Sequence, residues 1–163
     1  MKNQRARRLA GFTLIELLVV IAIIGVLAST ILASVNTARA KARDARRSAD
    51  IHSVQLALES YYNTNNVYPP ARNIVGTALA DGTTSVLATT TAIDLVGYLT
   101  SNPNDPFYGG SSNYQYVRKQ NPDGYGIRVR YEVRSGTDAS GYCKWGVNIN
   151  SGWWGSGTPN CQQ

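Results

Sequence analysis

At 163 residues the chain has room for one compact domain plus an appendage, which excludes a large multidomain enzyme. Apolar residues make up 43% and charged ones 16%, yet the one charged side chain between Phe12 and Val35 is Glu16, which excludes a wholly soluble chain. The net charge of +6 invites a nucleic-acid partner until it is divided by segment: Lys2, Arg5, Arg7 and Arg8 put +4 in the first 11 residues, residues 39–50 carry +3, and residues 60–163 only +1.

Residues 1–11 read as a basic leader. A basic start before a long apolar run fits a cleaved secretory signal, a membrane-spanning helix or a buried core helix. A signal's apolar stretch is about 7 to 15 residues. The run at 12–35, FTLIELLVVIAIIGVLASTILASV, instead matches the roughly 20 residues needed to cross a bilayer. It lacks Pro and mixes β-branched residues with Leu and Ala, so burial rather than intrinsic propensity holds it helical. No turn signal follows before Tyr62, so residues 36–62 continue the helix as an amphipathic half. From Phe12 to Tyr62 it would extend roughly 75 Å. Ile51, Val54, Leu58 and Tyr61 form a stripe suited to packing on a globular domain, whereas 39–50 offers only Ala and charges. Arg46 and Arg47 stand four and three residues before Asp50, ion pairs worth a few tenths of a kcal/mol each.

Asn63, Asn65 and Asn66, then Pro69 and Pro70, end the helix and open a head at 63–163. Its first part, 63–113, reads as a connecting segment, mostly loop from 71 onward. One short helix is expected at 92–99, where Ile93, Leu95, Val96 and Leu99 would share a face, and Pro103 and Pro106 mark its end. The period then changes to two: Tyr125, Ile127, Val129, Tyr131 and Val133 alternate with Arg128, Arg130, Glu132 and Arg134. That predicts a strand with one buried face, preceded by a strand at 114–119 and a turn at NPDG, 121–124. A third strand is expected at 142–149, with Cys143, Trp145, Val147 and Ile149 on one side. The fold class is α+β, a long N-terminal helix packed on a small antiparallel sheet within 114–149.

Glu16 is the chemical outlier, because an ionised carboxylate among Leu, Val and Ile is costly without a partner. Either the span starts later and Glu16 sits among headgroups, or it pairs with a cation that arrives on assembly. Cys143 and Cys161 are the only cysteines and lie in a Gly, Trp and Asn-rich tail with no periodicity to order it. A disulfide across 143–161 would add about 3 kcal/mol by loop entropy and would require an oxidising compartment, two free thiols being the alternative. Two cysteines and the single His52 fall short of a zinc set, and no metal or cofactor is expected. Asn102, Asn104, Asp105 and Asp123 are oxygen donors without a calcium motif's spacing. Trp145, Trp153, Trp154 and the ten Tyr read as core and loop anchors before an adhesive surface. The basic run from Arg39 to Arg47 reads as a solvated or intersubunit helix face, ahead of contact with DNA or anionic headgroups.

GFTLIELLVVIAIIGVLA at 11–28 resembles the prepilin signature of type IV pilins and pseudopilins: a basic leader, Gly, then Phe, a Glu four residues on, and an unbroken apolar run. The resemblance covers 12–70, including ALESYYNTNNVYP, with a looser echo in YLTSNPNDPFYGGSSNYQYV. It implies that a prepilin peptidase cuts between Gly11 and Phe12 on the cytoplasmic side and methylates the freed Phe12 amine. Taken alone, Gly11 is an ordinary flexible junction. It also implies that Glu16 meets the Phe12 amine of a neighbouring subunit, which supplies the cation its burial demands. Two departures stand out. Helices of this family commonly carry a Pro near the position of Ala33, absent here, although Gly25, Ser29, Thr30 and Ser34 leave room for local loosening. Charge asymmetry does not orient the span, with four Lys/Arg before it and five soon after. The resemblance and the Cys pair place the leader in the cytoplasm and the head outside.

No phosphate loop, nucleophile elbow or spaced carboxylate pair is present, so an enzyme is not expected. The leading expectation is a type IV pilus subunit, held in the cytoplasmic membrane and then polymerised into an extracellular filament for adhesion, motility or DNA uptake. Its partners would be membrane lipid before assembly, prepilin peptidase, the assembly platform, minor pilins and copies of itself, with nucleic acid less favoured. Gly25, Ala28, Ala33 and Ala38 would let helices approach closely. The alternative within the family is a pseudopilin of a type II secretion or competence machine, and the Cys-closed tail favours the surface pilus. From another class comes an uncleaved single-span protein displaying a binding domain.

Overall fold

The structure is a computed structural model that describes residues 12–71, 84–86, 95–108, 113–120, 123–149 and 157–161. One helix, α1 (Leu14–Asn65), precedes four strands. The chain divides within α1 into two units, Met1–Ala38 and Arg39–Gln163.

In the first unit α1 carries its apolar side chains outward on every side; Leu14, Ile15, Leu18, Ile23, Leu27 and Leu32 are all exposed. Mean hydropathy reaches 2.7 over an 18-residue window, so this helix is long and apolar enough to cross a membrane. It runs unbroken through position 33, in keeping with the missing Pro. The hydroxyls of Ser29 and Thr30 donate to the carbonyls of Val26 and Leu27 at 2.8 and 2.9 Å, so neither polar group depends on water. A Cβ added at Gly25 would meet nothing within 4 Å.

In the second unit the sheet is an antiparallel meander of β1 (Thr84–Val86), β2 (Gln115–Gln120), β3 (Asp123–Arg130) and β4 (Tyr142–Val147), in that order. Ile51, Val54, Ala57 and Leu58 of α1 are buried against Tyr114, Tyr116, Tyr125, Ile127, Val129 and Tyr131. The helical stripe and the period-two strand thus form the core together, as their spacings predict. Aromatic rings fill much of it, with Tyr68 edge-on to Tyr125 at 4.7 Å and Tyr62 tilted on Tyr68 at the same distance. Trp145 is half-buried against this core, and Trp153 and Trp154 lie outside the described residues. The helix ends three residues beyond Tyr62, where Asn66 adopts φ 56° and its N–H donates to the Tyr62 carbonyl at 2.7 Å.

Several expectations need correction. β1 lies in the segment read as loop; three residues are too few to display a period. Asp123 and Gly124 belong to β3, paired with Gln120 and Lys119, so the connection is tighter than NPDG; residues 121 and 122 lie outside the described residues. No helix forms over 95–99. Tyr98 and Leu99 both donate to the Leu95 carbonyl at 3.0 Å, and Gly97 at φ 88° reverses the chain, burying Leu95 while leaving Val96 81% exposed. Residues 92–94 lie outside the described residues. Val133 is exposed because β3 stops at Arg130 and the N–H groups of Glu132 and Val133 turn to the Asp44 carboxylate. β4 likewise stops at Val147, two residues before Ile149.

Cys143 and Cys161 are joined by a disulfide. The tail beside it runs along β4, with Lys144 N–H donating to Pro159 O at 3.0 Å and Cys161 N–H to Lys144 O at 2.9 Å.

Candidate assembly site

The first turn of α1 is built around Thr13 and Glu16. Glu16 Oε2 accepts from the Thr13 N–H at 2.9 Å and from the Thr13 hydroxyl at 2.8 Å. Thr13 Oγ1 in turn accepts from the Glu16 N–H at 3.2 Å. This is a capping box, in which residues three apart satisfy each other's unpaired helix-start donors. All the bonds that Glu16 accepts from Thr13 end on one oxygen, Oε2. Sequence reasoning singled out Glu16 but overlooked Thr13, although the Thr-x-x-Glu spacing was there to be seen. Phe12 beside them is 86% exposed, while Gly11 lies outside the described residues, so the cleavage junction itself is not placed.

In the second unit two residues of the basic run, Arg43 and Arg47, turn inward, which corrects the reading of a solvated or intersubunit face for those two alone. Arg47 is fully buried. Its Nε and Nη2 donate to the two oxygens of Asp105 at 2.7 and 3.0 Å, and its Nη1 donates to Asp44 at 2.6 Å and Glu132 at 2.8 Å. Arg43 clasps Glu132 with Nε and Nη2 at 2.7 and 2.5 Å. Asp105 also accepts the N–H groups of Phe107 and Tyr108 at 2.8 and 2.6 Å, which folds the NDPFY loop onto α1. Arg39, Lys41 and Arg46 remain exposed. Of the two pairs expected at Asp50, Arg46 stands at 4.0 Å, while Arg47 is committed elsewhere and Asp50 accepts the Tyr114 hydroxyl at 2.8 Å. The signal for this network was position: Arg47 and Asp44 extend the stripe of Ile51, Val54 and Leu58 by one and two turns.

The charge balance follows from this geometry. The Arg43 hydrogen bonds, helped by Arg47, hold the Glu132 carboxyl down at about 2 although partial burial opposes them. Burial alone would lower the Arg47 pKa; its bonds to Asp105, Glu132 and Asp44 more than offset this and raise it. Burial, then the bond to Asp50, pushes the Tyr114 hydroxyl up. The oxygen donors weighed for calcium are not brought together: Asp105 faces Arg47, whereas Asp123 bonds Arg118 at 3.1 Å and the Tyr68 N–H at 2.9 Å. No group of three potential metal ligands occurs among the described residues.

The family model described as "Prokaryotic N-terminal methylation motif" matches residues 6–32. Type II secretion system core protein G of Dickeya chrysanthemi is 33% identical over 111 residues, covering 68% of this chain and 69% of that protein. Core protein G of Pectobacterium carotovorum subsp. carotovorum is 32% identical over 124 residues, covering 76% and 74%. The chain belongs to the type II secretion system core protein G family. Core protein G of Pseudomonas aeruginosa is 31% identical over 111 residues and covers 75% of its own length. No solved structure matches the chain. Family membership bears out the prepilin resemblance and favours the pseudopilin over the surface pilin.

Proposed function

We propose that the chain is a pseudopilin, a structural subunit of the short filament of a type II secretion machine. The observation that carries this reading is the similarity to type II secretion core protein G over two thirds or more of both chains, together with the methylation motif at 6–32 on a helix whose apolar side chains face outward all round. Such a helix is stable in lipid or among copies of itself, and in water it is not. The subunit waits in the cytoplasmic membrane with its head outside. Prepilin peptidase cuts between Gly11 and Phe12 and methylates the Phe12 amine.

Assembly then exchanges lipid contacts for helix contacts. Gly25, with open space where a Cβ would stand, leaves a notch for a neighbouring helix. The capping box holds Glu16 through Thr13 while the subunit waits, so the carboxylate is hydrogen-bonded before any cation reaches it. The ammonium of a neighbour's Phe12 then adds a charge-assisted bond to the same carboxylate. The chain's partners are copies of itself, the assembly platform, minor pseudopilins and prepilin peptidase, and its work is mechanical, not catalytic.

Deleting the chain from its own bacterium tests this. Exported proteins are expected to accumulate behind the outer barrier while surface pili persist. Wild type restores their release and Glu16→Val does not. Intact secretion together with lost surface pili overturns the reading in favour of the surface pilus.

A further inference from the structure

Beyond β3 the chain and the loop before β4 line an open, polar cleft of about 500 Å3. Arg130 and Arg134 both line it. The Arg130 guanidinium lies over the Tyr108 ring at 4.4 Å and the Tyr142 ring at 5.5 Å. That of Arg134 lies over Tyr131 at 4.9 Å and Trp145 at 5.4 Å. Stacking fixes the plane of a guanidinium and leaves its N–H edges open, the fork that matches a carboxylate.

Among the described residues neither arginine has a carboxylate within ion-pair distance; Arg134 Nη1 donates to Ser48 Oγ at 3.3 Å. Two carboxylates share the cleft and both are already engaged. Glu132 belongs to Arg43 and Arg47, and Asp138 accepts the N–H groups of Ser140 and Tyr142 at 2.9 Å each. The cleft therefore presents two oriented guanidinium groups without a direct ion-pair partner among the described residues.

We propose that this cleft binds an acidic segment of a partner protein, with Arg130 and Arg134 as the groups that hold its carboxylates. A second copy fits less well, because the described carboxylates of the head are occupied internally: Asp44 and Asp105 by Arg47, Asp50 by Tyr114, Glu59 by Tyr68, and Asp123 by Arg118. A nucleic acid fits less well too. Its affinity grows with the number of phosphates neutralised, whereas residues 60–163 carry a net charge of only +1. Separate carboxylates on a protein loop meet the two forks one at a time. This site lies wholly within the head, so the inference stands or falls apart from the assembly of the helices.

The test is anisotropy of a fluorescein-labelled octaglutamate peptide with the full chain in detergent. Saturable binding is expected, weakened about tenfold by Arg130→Gln and by Arg134→Gln. Arg39→Gln, which removes the same charge elsewhere, leaves it unchanged. Arg130→Lys keeps the charge without the fork and recovers only part of the binding, which separates recognition from simple attraction. Thermal unfolding midpoints confirm that each variant is folded. Absent saturation, equal losses in all the variants, tighter binding of a single-stranded DNA of equal charge, or self-association abolished by Arg130→Gln each overturns the proposal.

Discussion

Glu16 and Arg47 pose the same physical problem, a charge where water is scarce, and meet it differently. Glu16 is steadied locally by Thr13, three residues away, through one carboxylate oxygen. Arg47 is fixed by carboxylates from α1, the NDPFY loop and the residue stretch after β3, so it holds the head together. Arg47→Ala should destabilise the head by about 3–5 kcal/mol, because it strands buried carboxylates without their cation. Adding Asp105→Leu should recover part of the loss, read from chemical denaturation of both variants. Acid should act through Glu132. Its folded pKa of about 2 lies below the ordinary 4.5, so its contribution is complete above about 4.5 and lost as the pH falls through 2. Glu132→Gln should flatten the stability profile across that window. This network went unread in the sequence, because charge on a helix reads as solvent-facing unless its register with the apolar stripe is followed two turns further.

Elements whose length exceeds their own period announced themselves. α1 offers many turns of pattern and β3 eight residues, and both were readable to within a few positions. β1 has three residues and the turn at 95–99 depends on Gly97, so neither could display a repeat. Pairing also explains the shift at 123–124: Asp123 and Gly124 carry turn chemistry, yet ladder bonds to Gln120 and Lys119 decide their state. For α1 the open space at Gly25 yields a prediction of its own. Gly25→Leu should leave processing and head stability unchanged, since a Cβ there meets nothing within 4 Å in the single chain. Filament yield should drop severalfold, because the notch that admits a neighbouring helix is filled. Sedimentation of sheared filaments reads the difference.

At the scale of the whole molecule, a lipid-ready helix and a packed head divide the work. Among the described residues the head buries an aromatic core and the Arg47 charge network, with the disulfide tying the tail to β4, whereas the first half of the helix leaves its apolar side chains exposed. The pilin-like family was legible from the basic leader, Gly11, Phe12, Glu16 and the unbroken apolar run; the choice between pilus and secretion filament was not, because both use the same helix. Intact-mass measurement of the protein extracted from membranes tests the central claim most directly. The account predicts a chain beginning at Phe12, heavier by one methyl group and lighter by the two hydrogens lost in joining Cys143 to Cys161. A chain that still begins at Met1, unmethylated, would contradict it.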